Sequence, residues 1–218
     1  MEPIFLGEAA IEYPVLIAFV IAATALAISP GPDNIFVLAQ SISKGSRAGL
    51  ATAYGLVAGC LVHTSLLAFG ISEIIKHSDT LFFGIKLFGA LYLLFLAYKV
   101  LRSDDKILLD GKGGTLHSQG RLFLTGLAMN VLNPKVAIFF LAFFPGFLFS
   151  DTLGTVVQFY VLGLLFMGCA LLVFMTIALL AGRISHFIRA RPMAGFWLKW
   201  IQFSVLLGIA LYLLFSAK

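Results

Sequence analysis

Charge is missing from this chain over distances that match the thickness of a bilayer. Between Glu12 and Asp33 lie 20 uncharged residues, between Arg47 and Glu73 lie 25, and between Asp151 and Arg183 lie 31. At about 1.5 Å per residue, a helix needs roughly 20 residues to cross a hydrocarbon core of about 30 Å. The run from Asp79 to Lys99 is interrupted only by Lys86, and that from Arg121 to Asp151 only by Lys135. The last run, Trp200 to Ala217, has 18 residues. Phe, Leu, Ile, Val and Ala dominate these runs, without the strict alternation that a membrane barrel strand requires. Charged residues make up 11% of the chain, against about a quarter in a soluble domain, so most of the surface is expected to meet lipid. The expectation is an all-α integral membrane protein, one transmembrane domain over residues 1–218. Its six helices are placed at 14–40 (broken), 48–72, 80–100, 120–148 (broken), 153–181 and 196–216.

The net charge of +5 does not point to nucleic acid, because the basic residues are scattered between apolar runs and form no stripe. They read as topology signals. The connections 41–47, 99–121 and 182–199 carry eleven Lys and Arg residues, whereas the opposite side has only Lys76, Lys86 and Lys218. The positive-inside rule places the eleven in the cytoplasm and both termini outside. Lys86, near one end of its span, is expected to snorkel to the interface. Glu2, Glu8 and Glu12 precede the first apolar run, where a secretory signal peptide would be basic, so the first helix is expected to be retained. The polar stretch 102–120 divides the chain into a first half (14–101) and a second (121–216). No phosphate-binding Gly-x-x-x-x-Gly-Lys-Ser/Thr loop, Gly-x-Ser-x-Gly elbow or His-Glu-x-x-His pair occurs. An ATP-driven pump and the commonest hydrolases therefore find no support.

Two spans are interrupted in matching places. The first contains Ser29-Pro30-Gly31-Pro32-Asp33-Asn34 and the fourth contains Asn130 and then Asn133-Pro134-Lys135. Each proline lacks a backbone donor and clashes with the preceding turn, so an ordinary helix cannot continue through it. Pro32 and Pro134 suit the first position of a new helical segment, with Asn133 as an N-cap. Aligning these prolines sets Asp33 opposite Lys135. Three helices per half would turn the second half upside down, giving two inverted three-helix repeats. In such transporters, paired interruptions mark the substrate site near the membrane midplane. Asp33 is well placed at a positive helix start. Lys135 is not, and needs compensation from Asp33 or an anionic ligand. Pro30, Gly31, Pro32, Asp33, Asn34, Asn130, Asn133, Pro134 and Lys135 are the candidate substrate-binding residues, with Asp33 also the candidate proton carrier. A static Asp33–Lys135 ion pair remains the structural alternative.

Other polar residues carry weaker signals. Cys60 and His63 share a helix face at a spacing compatible with two metal ligands, and with Asp33 they would make a metal-ion (cadmium-like) exporter. Cys60 and Cys169 would suit a transmembrane thiol–disulfide carrier only if close enough to bridge. Tyr54, Ser29 and Thr52 either line a cavity or pair between helices. The glycines inside spans, Gly55, Gly59, Gly84, Gly89, Gly163 and Gly168, read as packing seams that let helices approach closely.

At the two breaks the sequence resembles the LysE/RhtB-type amino-acid exporters of bacteria. Ser29-Pro30-Gly31-Pro32-Asp33, Lys44-Gly45-Ser46-Arg47-Ala48-Gly49-Leu50 and Gly89-Ala90-Leu91-Tyr92-Leu93-Leu94 resemble the family's first-half signatures. The stretches Asn130-Val131-Leu132-Asn133-Pro134-Lys135 and Phe139-Phe140-Leu141-Ala142-Phe143-Phe144-Pro145 resemble its second. Where the family usually has glutamine after Pro145 this chain has Gly146, and at Asp33 members often carry asparagine. The resemblance implies a multi-pass protein of the bacterial cytoplasmic (inner) membrane, not an enzyme. It would export amino acids such as threonine, homoserine, leucine or lysine on the proton gradient. Its partners would be the amino acid and the lipid bilayer, with no cofactor, no bound metal and no nucleic acid, and with homo-oligomerisation left open.

Overall fold

A computed structural model describes residues 5–6, 9–71, 79–103, 118–191 and 193–215. Glu2, Glu8, Glu73, Lys76, Lys218 and most of the 102–120 loop, with Lys106 and Lys112, lie outside the described residues. Apart from a two-residue antiparallel pairing of Phe5–Leu6 (β1) with Ala9–Ala10 (β2), the described chain is helical. Helices α1 (Tyr13–Ile28) and α2 (Pro32–Lys44) form the first broken span. Helix α3 (Ser46–Leu66) ends in a wider turn at Leu67–Ile71, and α4 runs Asp79–Leu101. The second broken span is α5 (Gln119–Val131) and α6 (Pro134–Phe143), with a tight turn at Phe144–Phe147. Then come α7 (Thr155–Leu179), α8 (Ala181–Ala190) and α9 (Ala194–Phe215).

Four of these helices are long and apolar enough to cross a membrane, and the count reaches six when each bent pair is taken as one span. The bends are 56° between α1 and α2 and 53° between α5 and α6. Both second segments begin at the aligned prolines, Pro32 and Pro134. Large apolar side chains such as Ile21, Leu66, Phe69, Leu124, Leu164 and Phe215 stay exposed. A belt of that extent on a helical chain is a lipid-facing surface.

Half of α3's apolar stretch is buried but only 22% of α9's, so α3 is central and α9 peripheral. Glycine sets the central contact. A methyl group on Gly55 would strike the Phe123 carbonyl of α5, and one on Gly126 of α5 would strike the Thr52 carbonyl of α3. The two backbones therefore touch without intervening side chains, as small residues allow in lipid. Gly59 lies against Asn130, Gly89 against Ala142 and Gly163 against Thr64. Gly84 and Gly168 face open space, so four of the six expected seam glycines are in seams and two are not.

Two further expectations are corrected. The stretch 182–199, read as a connection, is largely helical. In α8, Ile184 and Ile188 share one face while Arg183, His186 and Arg189 are exposed on the other, a pattern that suits a helix at an apolar–polar boundary. Lys86 does not reach the surface: its side chain is 6% exposed, because Lys86 sits two turns inside α4, among helices rather than at an end. Thr52 bonds its own helix at the Ala48 carbonyl (3.0 Å), and Tyr54 is exposed.

The α3–α5 seam makes a prediction. Gly55→Val or Gly126→Val should destabilise the protein by about 2–3 kcal/mol through overpacking, lowering its melting temperature in detergent. Gly168→Val, beside open space, should leave melting nearly unchanged. Equal effects at the three positions would contradict the assignment.

Candidate functional site

Each break leaves a backbone carbonyl without its usual donor, and the chain repairs the deficit locally. The Asn130 carbonyl would ordinarily accept from residue 134, which is proline and has no N–H. It accepts instead from the Asn133 N–H at 3.0 Å and from His63 Nε2 at 3.1 Å. A carbonyl can only accept, so Nε2 carries the proton. His63 thus ties the end of α5 to α3, and its ring lies 5.5 Å from that of Phe140. Glycine at 59 makes room for this, since a Cβ there would fall 2.6 Å from Asn130 Oδ1. In the first break, the Asn34 amide donates to the Ala27 carbonyl at 2.8 Å. Pro30 and Pro32 remove the helical donors that the Leu26 and Ile28 carbonyls would otherwise meet.

The two helix restarts differ. Asn133 caps α6, its Oδ1 accepting from the Lys135 N–H at 3.0 Å, while the Val136 and Ala137 amides both bond the Asn133 carbonyl at 3.1 Å. The first-turn amides of α6 are therefore occupied by the cap and the turn itself. Gly31 offers α2 no side-chain cap, so its opening turn keeps the positive, donor-rich end that favours anions.

The breaks face each other. Asn133 Nδ2 donates to both oxygens of Asp33, at 3.3 and 3.2 Å, bridging the spans through an amide. Lys135 crosses the other way: a Cβ on Gly31 would lie 3.4 Å from its ammonium nitrogen and 3.9 Å from Asn34 Oδ1. Asp33 and Lys135 interact electrostatically across this gap. An inner pocket of about 40 Å³ is lined by Gly31, Pro32, Asp33, Asn34, Asn130, Asn133 and Lys135, together with Cys60 and a Phe166–Ala170–Phe174 stripe on α7. A larger cavity of about 1130 Å³ shares Gly31, Pro32, Asn34, Asn133 and Lys135 with it and also reaches Pro30 and Pro134. Between them the two neighbouring pockets take in all nine residues singled out in the sequence.

Among the described residues, the larger cavity extends toward one set of helix ends. It runs between α4, α7, α8 and α9 to Lys99, Ser103, Ile184, Gly195 and Lys199, the helix ends rich in basic residues. Lys199 donates to the Ser103 carbonyl there at 2.9 Å. The opposite direction is packed with phenylalanine. Residues 139, 143 and 147 and residues 140 and 144 repeat every four positions and form two stacks, with centroids 4.5 Å apart (Phe139–Phe143) and 4.2 Å apart (Phe140–Phe144). Phe19 of α1 packs edge-on against Phe144 at 5.1 Å and Tyr212 of α9 stacks on Phe147, also at 5.1 Å. Beyond the stacks, the buried Gln158 amide accepts from the Phe149 and Ser150 amides and donates to the Ser150 and Leu153 carbonyls, closing the α6–α7 turn.

The sequence reading missed the α7 stripe, the α4 and α9 walls and Gln158. Phe166, Ala170 and Phe174 at fourfold spacing mark one helical face, which gives the one signal that pointed to them. Cys60 was singled out as a thiol and proves to be a pocket wall. Among the described residues no three His, Cys, Asp or Glu side chains converge, and both cysteines are free thiols.

The Asp33–Asn133 bridge can be inverted. Asn133→Asp keeps a capping acceptor but sets two carboxylates together, and should cost about 2 kcal/mol or more. Adding Asp33→Asn restores the hydrogen bond with donor and acceptor exchanged. The double variant should melt within a few degrees of the parent, and no recovery would show that the two residues do not bridge the breaks.

The LysE type translocator family model matches residues 24–217, from the end of α1 through α9. The homoserine/homoserine lactone efflux protein of Salmonella typhimurium is 31% identical over 172 residues, covering 79% of this chain and 82% of its own. The leucine efflux protein of Salmonella choleraesuis is 31% identical over 157 residues, covering 69% and 72%. No solved structure matches the chain. A match over residues 24–217, which takes in both breaks and the pocket between them, shows that the chain belongs to the LysE type translocator family, membrane transporters and not enzymes.

Proposed function

We propose that the chain exports amino acids across the bacterial cytoplasmic membrane, driven by the proton gradient, with the two interrupted spans as equivalent parts of an inverted repeat. The observation that carries this reading is the meeting of opposite charges at one pocket. A free amino acid is a zwitterion, and leaving either of its charged ends unpaired away from water costs several kcal/mol. The carboxylate is met by the Lys135 ammonium and the uncapped start of α2, which come together beside Gly31. The ammonium is met by Asp33 and by the Leu26 and Ile28 carbonyls, whose helical donors the prolines remove. Homoserine and leucine, the cargoes named for two relatives, both present this pair of ends.

The orientation follows from charge. With the basic helix ends in the cytoplasm, both termini face out and the large cavity takes cargo from inside the cell. The phenylalanine stacks then form the outer seal, and export requires that seal to part as the two halves rock about the pocket. Asp33 is the only acid within a span and the first group placed to exchange a proton. The metal-ion alternative needs Cys60, His63 and Asp33 to converge, and among the described residues no three His, Cys, Asp or Glu side chains do so.

Two variants test the reading in proteoliposomes. Lys135→Ala should insert normally and lower amino-acid transport by roughly 30-fold or more, the cost of unpairing a buried charge. Normal kinetics would contradict the carboxylate role. Asp33→Asn should lose uphill export, while downhill exchange of labelled amino acid persists at a reduced rate because the Leu26 and Ile28 carbonyls still meet the ammonium. Undiminished transport driven by a pH gradient in that variant would exclude Asp33 as the carrier.

A further inference from the structure

The corner where α7 gives way to α8 and α9 carries two kinds of side chain that rarely share a surface. Arg183, His186 and Arg189 of α8 are exposed. So are Leu179 and Leu180 just before it, Phe187 on it, and Met193, Trp197 and Trp200 after it. Charge and apolar surface touch directly here, since the Arg191 guanidinium lies 4.4 Å from the centre of the Phe187 ring. At the end of the neighbouring α4, Arg102 sits in the same way over the exposed Tyr98, at 5.3 Å. Bulk water disfavours so much exposed aromatic and aliphatic surface, and hydrocarbon disfavours arginine. The headgroup layer of a bilayer accepts both, with indole and phenol rings at its edge and basic side chains among the phosphates. Both tryptophans of the chain stand at this corner, in the first two turns of α9.

Helix α8 has an inner face as well. Ala181 and Ser185 are buried, and Ile184 and Ile188 line the large cavity beside Gly195 and Lys199. One helix of ten residues therefore forms a wall of the cavity mouth with one face and presents cations with the other. Whatever fixes the outer face also fixes that wall. A guanidinium pairs well with a phosphate oxygen. In a zwitterionic lipid the headgroup's own ammonium competes for that phosphate, whereas an anionic lipid keeps its charge, a difference of about fivefold per basic residue at the membrane surface.

We infer that the exposed face of α8 binds anionic phospholipid headgroups, and that the bound lipid holds the α8 wall of the cavity mouth. The binding stands on the surface itself, while its effect on transport rests on the exporter reading above.

Brominated acyl chains quench indole fluorescence on contact, so Trp197 and Trp200 report which lipid lies at this corner. The purified full chain is placed in vesicles of equimolar phosphatidylglycerol and phosphatidylcholine, with the bromines on one lipid and then on the other. Quenching should show phosphatidylglycerol preferred by roughly tenfold or more, the combined effect of the two arginines of α8. Arg183→Gln with Arg189→Gln should bring the preference close to none, and Arg183→Lys with Arg189→Lys should keep most of it. Arg121→Gln, which removes a cation at the start of α5, should leave it unchanged. Leucine exchange by the parent should run roughly threefold or more faster in the mixed vesicles than in phosphatidylcholine alone, and the glutamine pair should lose that gain. Equal quenching by the two lipids in the parent would overturn the binding. A preference that survives in the glutamine pair, or falls as far in Arg121→Gln, would overturn α8 as its cause. A preference with no effect on leucine exchange would overturn the hold on the cavity mouth. Absence of exchange in both kinds of vesicle would overturn the exporter reading, and the quenching would still decide the binding.

Discussion

A backbone carbonyl deprived of its donor inside a span cannot turn to water, and much of this site follows from how the chain meets that demand twice. Proline at 134 strips the Asn130 carbonyl, which recruits His63 from α3. Prolines at 30 and 32 open the end of α1, where Asn34 reaches back to Ala27. Irregular backbone is tolerated at membrane depth only where protein or a cavity surrounds it. Placing the two irregular segments face to face satisfies that condition for both. The same arrangement brings Asp33 to Asn133 and Lys135 to Gly31, so the repair of the backbone and the assembly of the charged pocket are one event.

Around this centre the packing divides into parts that hold and parts that can yield. The α3–α5 seam is backbone against backbone through Gly55 and Gly126, with no side chain free to repack. The phenylalanine stacks are different: Phe139, Phe140, Phe143, Phe144 and Phe147 all sit on α6 and its following turn, and they contact α1, α7 and α9 by ring faces and edges. Aromatic contacts of that kind carry area and modest orientation preferences but few hydrogen bonds. A seal made this way can part without orphaning polar groups, which suits a transporter that must close on one side before opening on the other.

Much of this architecture was readable from residues alone because lipid imposes simple rules. The lengths of uncharged runs located the spans, and the structure places their ends within a few residues of the expected positions. Pro32 and Pro134 announced the restarts, and Asn133 its cap. What remained hidden depended on facts a sequence does not print. The hydrogen bonds that occupy the α6 amides and leave α2 uncapped follow from whether residue 31 or 133 carries an amide, and the functional meaning of that asymmetry emerges only when Lys135 is seen beside Gly31. Lys86 lies two turns into α4, deeper than a charge near a span end suggested, and it is buried. Helix α8 was concealed because four basic residues disguised the Ile184–Ile188 pair that orders it.

The central claim is that the two breaks make one site with an anion end and a cation end. Leucine and its two single-ended analogues, 3-methylbutylamine and 4-methylpentanoate, measure this directly through ligand-induced thermal stabilisation of the purified protein. Leucine is expected to raise the melting temperature with saturation, and each analogue to bind at least roughly 30-fold more weakly, since each leaves one buried charge of the site unpaired. An analogue that stabilises the protein as well as leucine does would show that one end of the site plays no part in binding, and would contradict the two-ended pocket.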